Sequence, residues 1–100
     1  MDVRMSLIHM LKQLREEMFV IQQQGAGYYS CIPMATRYNK LLEQAKRLFP
    51  ETDGLIDTFE TVQEIDPKDP ADKMKAVQGI RLEIGQLLTL LESVAEGQKR

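Results

Sequence analysis

Tryptophan is absent from this chain of 100 residues, cysteine and histidine occur once each, and six residues are aromatic. With Cys31 alone, no disulfide can form within the chain and no zinc site can be built from thiolates. A single free thiol fits a reducing compartment. His9 falls on the polar side of its helix, and nothing beside it in sequence makes it part of a triad. Long apolar runs are missing as well. Arg4, His9, Lys12, Arg15, Glu16 and Glu17 interrupt the N-terminal apolar positions, so nothing approaches the roughly 20 residues that span a bilayer. Neither signal peptide nor membrane anchor is expected, and the chain reads as cytoplasmic. There is no strong charge of one sign: the net value of -2 gives no global attraction to nucleic acid or anionic lipid. Any such binding needs a local patch.

What remains is an ordinary globular composition, with 43% hydrophobic and 28% charged residues. It predicts one domain over residues 1–100, large enough for a core but with little surplus stability. The clearest segment runs from Asp69 to Glu96. Asp69 can cap, Pro70 suits the first helical position and Asp72 favours the positive helix end. Ile80, Ile84, Leu87, Leu91 and Val94 follow at alternating spacings of four and three, flanked by Val77, Leu88 and Ala95, which is the stripe of a helix with one buried face. Gly79 and Gly85 flank that stripe and suggest close approach by neighbouring helices. Leu82 points away from it.

A first helix is predicted from Asp2 to Gln24, with Leu7, Leu11, Leu14, Met18 and Ile21 in the same rhythm and Val3 and Met10 extending the row. Ile8 and Phe19 fall together on a second side of it. The glycines at positions 25 and 27 end this helix; a dinucleotide loop there lacks both the preceding strand and the third glycine. Tyr28 to Ile32 forms an apolar connector, expected to fold back so that Tyr28 and Ile32 plug one end of the core. A second helix, Pro33 to Leu48, buries Met34, Tyr38, Leu41, Leu42, Ala45, Leu48 and Phe49, and Pro50 stops it. Thr52 or Asp53 can cap a short third helix that buries Leu55, Ile56, Phe59 and Val62, after which Pro67 and Pro70 force a turn. The expected fold is all-α: a small antiparallel bundle of three long helices and one short helix, the first and last forming the main seam.

No catalytic constellation emerges. Cys31 precedes a helix, the one position that could lower its pKa, but has no neighbouring base. Glu16, Glu17, Glu60 and Glu64 could hold magnesium only if helices one and three converged, and no paired acidic motif of that kind is present. Asp66, Asp69 and Asp72 lack the spacing, turn glycine and terminal glutamate of a calcium loop and serve better as turn and cap residues. We expect no cofactor, no metal and no enzyme. The expected function is a noncatalytic protein-protein interaction or scaffold module that forms a homodimer, with Ile8, Phe19 and Leu82 as contacts and Tyr28 and Tyr29 at a lip. The alternative is a nucleic-acid-associated regulator that uses a basic stripe of Arg37, Lys40 and Arg47 on the second helix.

Overall fold

The computed structural model describes residues 2–24 and 29–97. They form three α-helices, α1 (Val3–Gln23), α2 (Ile32–Leu48) and α3 (Pro70–Gly97), with two 3-10 turns, Pro50–Thr52 and Leu55–Thr58, after α2. Residues 59–69 then form a strap without helix or strand. The fold is an all-α bundle with principal extents of 46 × 22 × 19 Å. No helix of the described residues is long and apolar enough to cross a membrane.

Local chemistry accounts for the helix starts. The Asp2 carboxylate accepts the N–H groups of Arg4 at 3.0 Å and Met5 at 3.3 Å. Asp69 accepts that of Ala71 at 2.8 Å, with Pro70 opening α3. Each carboxylate therefore satisfies N–H groups that the helix itself leaves free. α2 opens one residue earlier than expected, at Ile32, whose N–H goes to the Ser30 hydroxyl at 3.2 Å. Cys31, at 1% exposure, fills the core end assigned to Ile32, which is itself 43% exposed. Tyr28 and the two glycines before it lie outside the described residues.

The short third helix is realised as the pair of 3-10 turns. Asp53 and Gly54 both adopt left-handed backbone, with φ of 59° and 85°, and a right-handed helix cannot continue through two such residues. Ile56 and Phe59 are buried as expected, but the break turns Leu55 outward to 59% exposure. Nor do the glycines of α3 mark close helix approach. A Cβ at Gly79 would meet nothing within 4 Å, and one at Gly85 only the Arg15 guanidinium at 4.0 Å.

α1 and α3 form the longest seam and run antiparallel, since Lys12 pairs with Glu92 at 3.3 Å while Gln22 accepts from Arg81 at 2.7 Å. α1 is also antiparallel to α2: the Arg4 guanidinium near the start of α1 lies 4.2 Å from the ring centroid of Phe49 at the end of α2, while Glu17, farther along α1, lines a cleft with Arg37 and Leu41. It follows that α2 and α3 run parallel, and the strap makes this possible by returning along α2. Val62 lies against Asn39, Glu64 against Thr36 and Asp66 against Cys31. Leu11, Met18, Tyr38, Leu42, Ala45, Phe49, Ile84, Leu87 and Leu91 form the centre of the core, each at most 1% exposed. Each large apolar side chain buried this way contributes roughly 1.5 to 3 kcal/mol before entropy is subtracted.

Candidate functional site

The two seams that α1 makes are finished differently. Above the α1–α3 seam, Lys12 pairs with Glu92, and the Arg81 guanidinium both donates to Gln22 and lies 5.0 Å from the Phe19 ring centroid. These contacts roof the apolar floor. Along the α1–α2 seam, no side chain of α1 from Ser6 to Gln23 bonds to α2 among the described residues. The result is an open groove.

Its wider half, about 590 Å³, has Val3, Ser6, Leu7 and Met10 on one wall and Arg37, Lys40, Leu41, Glu43, Gln44 and Leu48 on the other. A narrower half of about 190 Å³ continues past Gln13, Leu14 and Glu17, sharing Met10, Arg37 and Leu41 with the first. From Val3 to Glu17 the groove is about 21 Å long at the helical rise per residue. Val3 is 54% exposed and Met10 45%, so two large aliphatic groups stand in water beside a leucine floor. The walls differ in charge. Arg37 and Lys40 line the α2 side together with Glu43, and Arg47, which is not among the lining residues, donates to the Gln44 side-chain oxygen. On the α1 side Gln13 donates to Glu17 at 3.2 Å.

The expected contact residues do not form one face. Ile8 is 1% exposed and packs toward Glu92 and Ala95 of α3, so it is core and unavailable to a partner of the folded monomer. The cause is the position of α3, which covers that side of α1. Phe19 is 41% exposed under its arginine, and Leu82, at 63%, projects from α3 away from the core stripe. Tyr29 is half-buried and occupied internally: its carbonyl accepts from the Lys73 ammonium at 2.5 Å, and its ring centroid lies 5.4 Å from that ammonium. The structure does bring Arg37 and Lys40 together, as the basic edge of the groove.

The reactive-looking groups are tied into the scaffold. Lys73, only 6% exposed, binds Asp66 at 3.1 Å as well as Tyr29. Asp66 also accepts the Cys31 N–H at 3.0 Å. Burial first, and the Asp66 charge next, push the Cys31 thiol pKa up, opposite to what a nucleophilic cysteine needs. Hydrogen bonds from Thr36 and Asn39 hold the Glu64 carboxyl below its ordinary value. Among the described residues no three His, Cys, Asp or Glu side chains converge as a metal site. A second groove of about 490 Å³, between α2 and the strap, is lined by Lys40, Lys46, Glu43 and Glu64 in alternation with Asn39, Thr61 and Val62, and its mixed charges select no ligand class.

Val3 and Met10 share the spacing of the buried row of α1 but are 54% and 45% exposed. They lie at its edge, and spacing alone does not say where the covered arc stops. No family model matches the chain, and neither a curated protein nor a solved structure matches it.

Proposed function

We propose that the protein is a noncatalytic protein-protein interaction module whose docking face is the α1–α2 groove. The observation behind this reading is the contrast between its two seams: the α1–α3 seam is roofed by ion pairs and a cation-aromatic contact, while the α1–α2 seam leaves Val3 and Met10 exposed beside an apolar floor. A groove of this length and shape suits the apolar face of an amphipathic helix. Burial of such residues supplies the driving force, and the charged edges set orientation.

Photo-crosslinking tests this directly. A benzoylphenylalanine introduced at position 10 is expected to yield a discrete protein adduct in cells, and the same group at position 82 is not. No adduct at position 10, or equal labelling at both, would overturn the reading. The basic stripe supports the alternative of nucleic-acid contact through Arg37, Lys40 and Arg47, because all three are exposed. Phosphate contacts weaken steeply with salt. Salt-sensitive binding to a mixed DNA and RNA pool, lost on reversing those three charges, would favour that alternative.

A further inference from the structure

We propose that the strap between the 3-10 turns and α3 is an open strand edge, and that it docks an extended basic segment of a partner protein by strand addition. This surface is separate from the α1–α2 groove and is tested independently of it.

The argument begins with the backbone. Residues 59–67 run without helix, turn or bend, and in an extended chain the peptide groups of successive residues point to opposite sides. Val62 fixes which side is which. Its N–H and C=O both go to the Asn39 side chain, at 2.8 Å each, so the N–H and C=O groups of Thr61 and Gln63 point away from that partner. None of those four groups takes part in a hydrogen bond among the described residues, and both residues are exposed. A row of unpaired peptide groups is a template for another strand. The strap is also held in place for one: Glu64 accepts from Thr36, and Asp66 accepts the Cys31 N–H at 3.0 Å. An edge ordered beforehand spares its partner part of the entropic cost of binding. Thr61, Val62 and Ile65 are β-branched and suit such pairing.

Charge selects the occupant. Between Phe59 and Pro67 the strap carries Glu60, Glu64 and Asp66 and no basic residue. By the two-residue period Glu60, Val62 and Glu64 share one face, so the complementary segment is basic, apolar and basic at alternate positions, since opposite charges across paired strands attract. The lysines of the adjoining cleft, Lys40 and Lys46, belong to α2, on the side that Asn39 already occupies. The same charges oppose a second copy. A two-fold pairing centred on Val62 sets Glu60 opposite Glu64 twice, and one centred on Gln63 sets Glu60 opposite Asp66 twice, and like charges so placed are destabilising.

The test titrates the whole chain with the blocked peptide Thr-Lys-Thr-Val-Thr-Lys-Thr and follows backbone amides by NMR and hydrogen exchange. The Thr61 and Gln63 amides should shift and exchange more slowly, while that of Val62, already bonded, should change little. Gln63→Pro deletes one outward N–H and should abolish binding, with circular dichroism and the Val62 amide confirming that the strap is in place. Glu60→Lys leaves every tie to α2 intact. It should weaken binding of the lysine peptide about tenfold and strengthen binding of the same peptide with glutamates for lysines. Thr61 and Gln63 amides that exchange equally with and without excess peptide would overturn the proposal. So would equal binding by Gln63→Pro and the wild type, or a Glu60→Lys variant that keeps the original charge preference. Protection of both amides that grows with protein concentration and needs no peptide would mean pairing with a second copy, and would overturn the basic partner.

Discussion

Asn39 grips Val62 by both of its backbone groups. The side-chain amide donates to the Val62 carbonyl and accepts the Val62 N–H, each at 2.8 Å. A carboxamide carries a donor and an acceptor at the spacing of a peptide group, so it acts as the strand neighbour that the strap lacks. The same amide reaches the Glu64 carboxylate at 3.3 Å. Asn39 is thus the first of three ties that hold the strap along α2, followed by Thr36 to Glu64 and Cys31 to Asp66.

Asn39→Ala removes these bonds and leaves a partly buried peptide group with less to bond. It should cost about 1 to 3 kcal/mol in urea denaturation. Asn39→Asp should be worse at neutral pH, because it loses the donor and sets a carboxylate against the Val62 carbonyl and Glu64. Amide exchange at Val62 is the local readout. If Val62 is equally protected in wild type and Asn39→Ala, the clamp does not govern the strap.

Acid should loosen the same element. Asp66 accepts the Cys31 N–H, the larger influence, and the Lys73 ammonium, and both hold its carboxyl below the ordinary value. Glu64 is displaced the same way by Thr36 and then Asn39. A carboxyl whose folded pKa lies below its unfolded one contributes stability that is complete above the unfolded value, about 4 for these groups. That contribution is lost as pH falls through the folded pKa. Stability should decline below about pH 4, and Asp66→Asn should make the decline shallower. Superimposable acid limbs for the variant and the wild type would count against Asp66.

How much of this was legible beforehand depended on how local each cause is. The start of α3 could be read because Asp69 and Pro70 act within one turn. The buried rows of α1 and α3 could be read because helical periodicity is a local property. Ile8 shows the limit: spacing placed it on a second side of α1, but whether α3, α2 or water meets that side is decided by topology. The parallel course of α2 and α3 follows from a strap tied to α2 at Asn39, Thr36 and Cys31, pairings with no sequence signature. The burial of Lys73 depends likewise on Tyr29 and Asp66 converging from two distant connectors. The groove went unseen for the same reason as the burial of Ile8, since both follow from which arcs of α1 its neighbours cover.

The glycines of α3 offer a stability gain. With open space at Gly79 and only Arg15 near Gly85, Gly79→Ala and Gly85→Ala should each stabilise the chain by about 0.5 to 1 kcal/mol through helix propensity. Thermal midpoints should rise by about 4 to 8 °C for each kcal/mol gained. Gly54→Ala should move the other way, because φ there is 85° and a side chain strains that conformation. A lower midpoint for Gly79→Ala would mean that something packs on the outer face of α3 beside Leu82.

Tyr38 presents the opposite case, a polar group the fold does not use. It is fully buried, and its hydroxyl has no hydrogen-bond partner among the described residues. Burial first, and the Glu83 charge second, raise its pKa well above the ordinary phenol value. A phenol that ionises less readily when folded contributes stability that is complete below its unfolded pKa, about 10, and that is lost as pH rises toward the folded value. Tyr38→Phe should therefore act in two ways. Near pH 7 it removes an unbonded oxygen from the interior at little loss of packing, for a change between neutral and about 1 kcal/mol stabilising. Above about pH 10 it should flatten the alkaline loss of stability; part of that loss should persist, because Tyr29 is also raised, chiefly by burial. Urea denaturation at both pH values reads the two effects separately. Destabilisation by more than about 1 kcal/mol near neutrality would mean that the hydroxyl is hydrogen-bonded in solution, and the bundle would then have a polar contact at its centre.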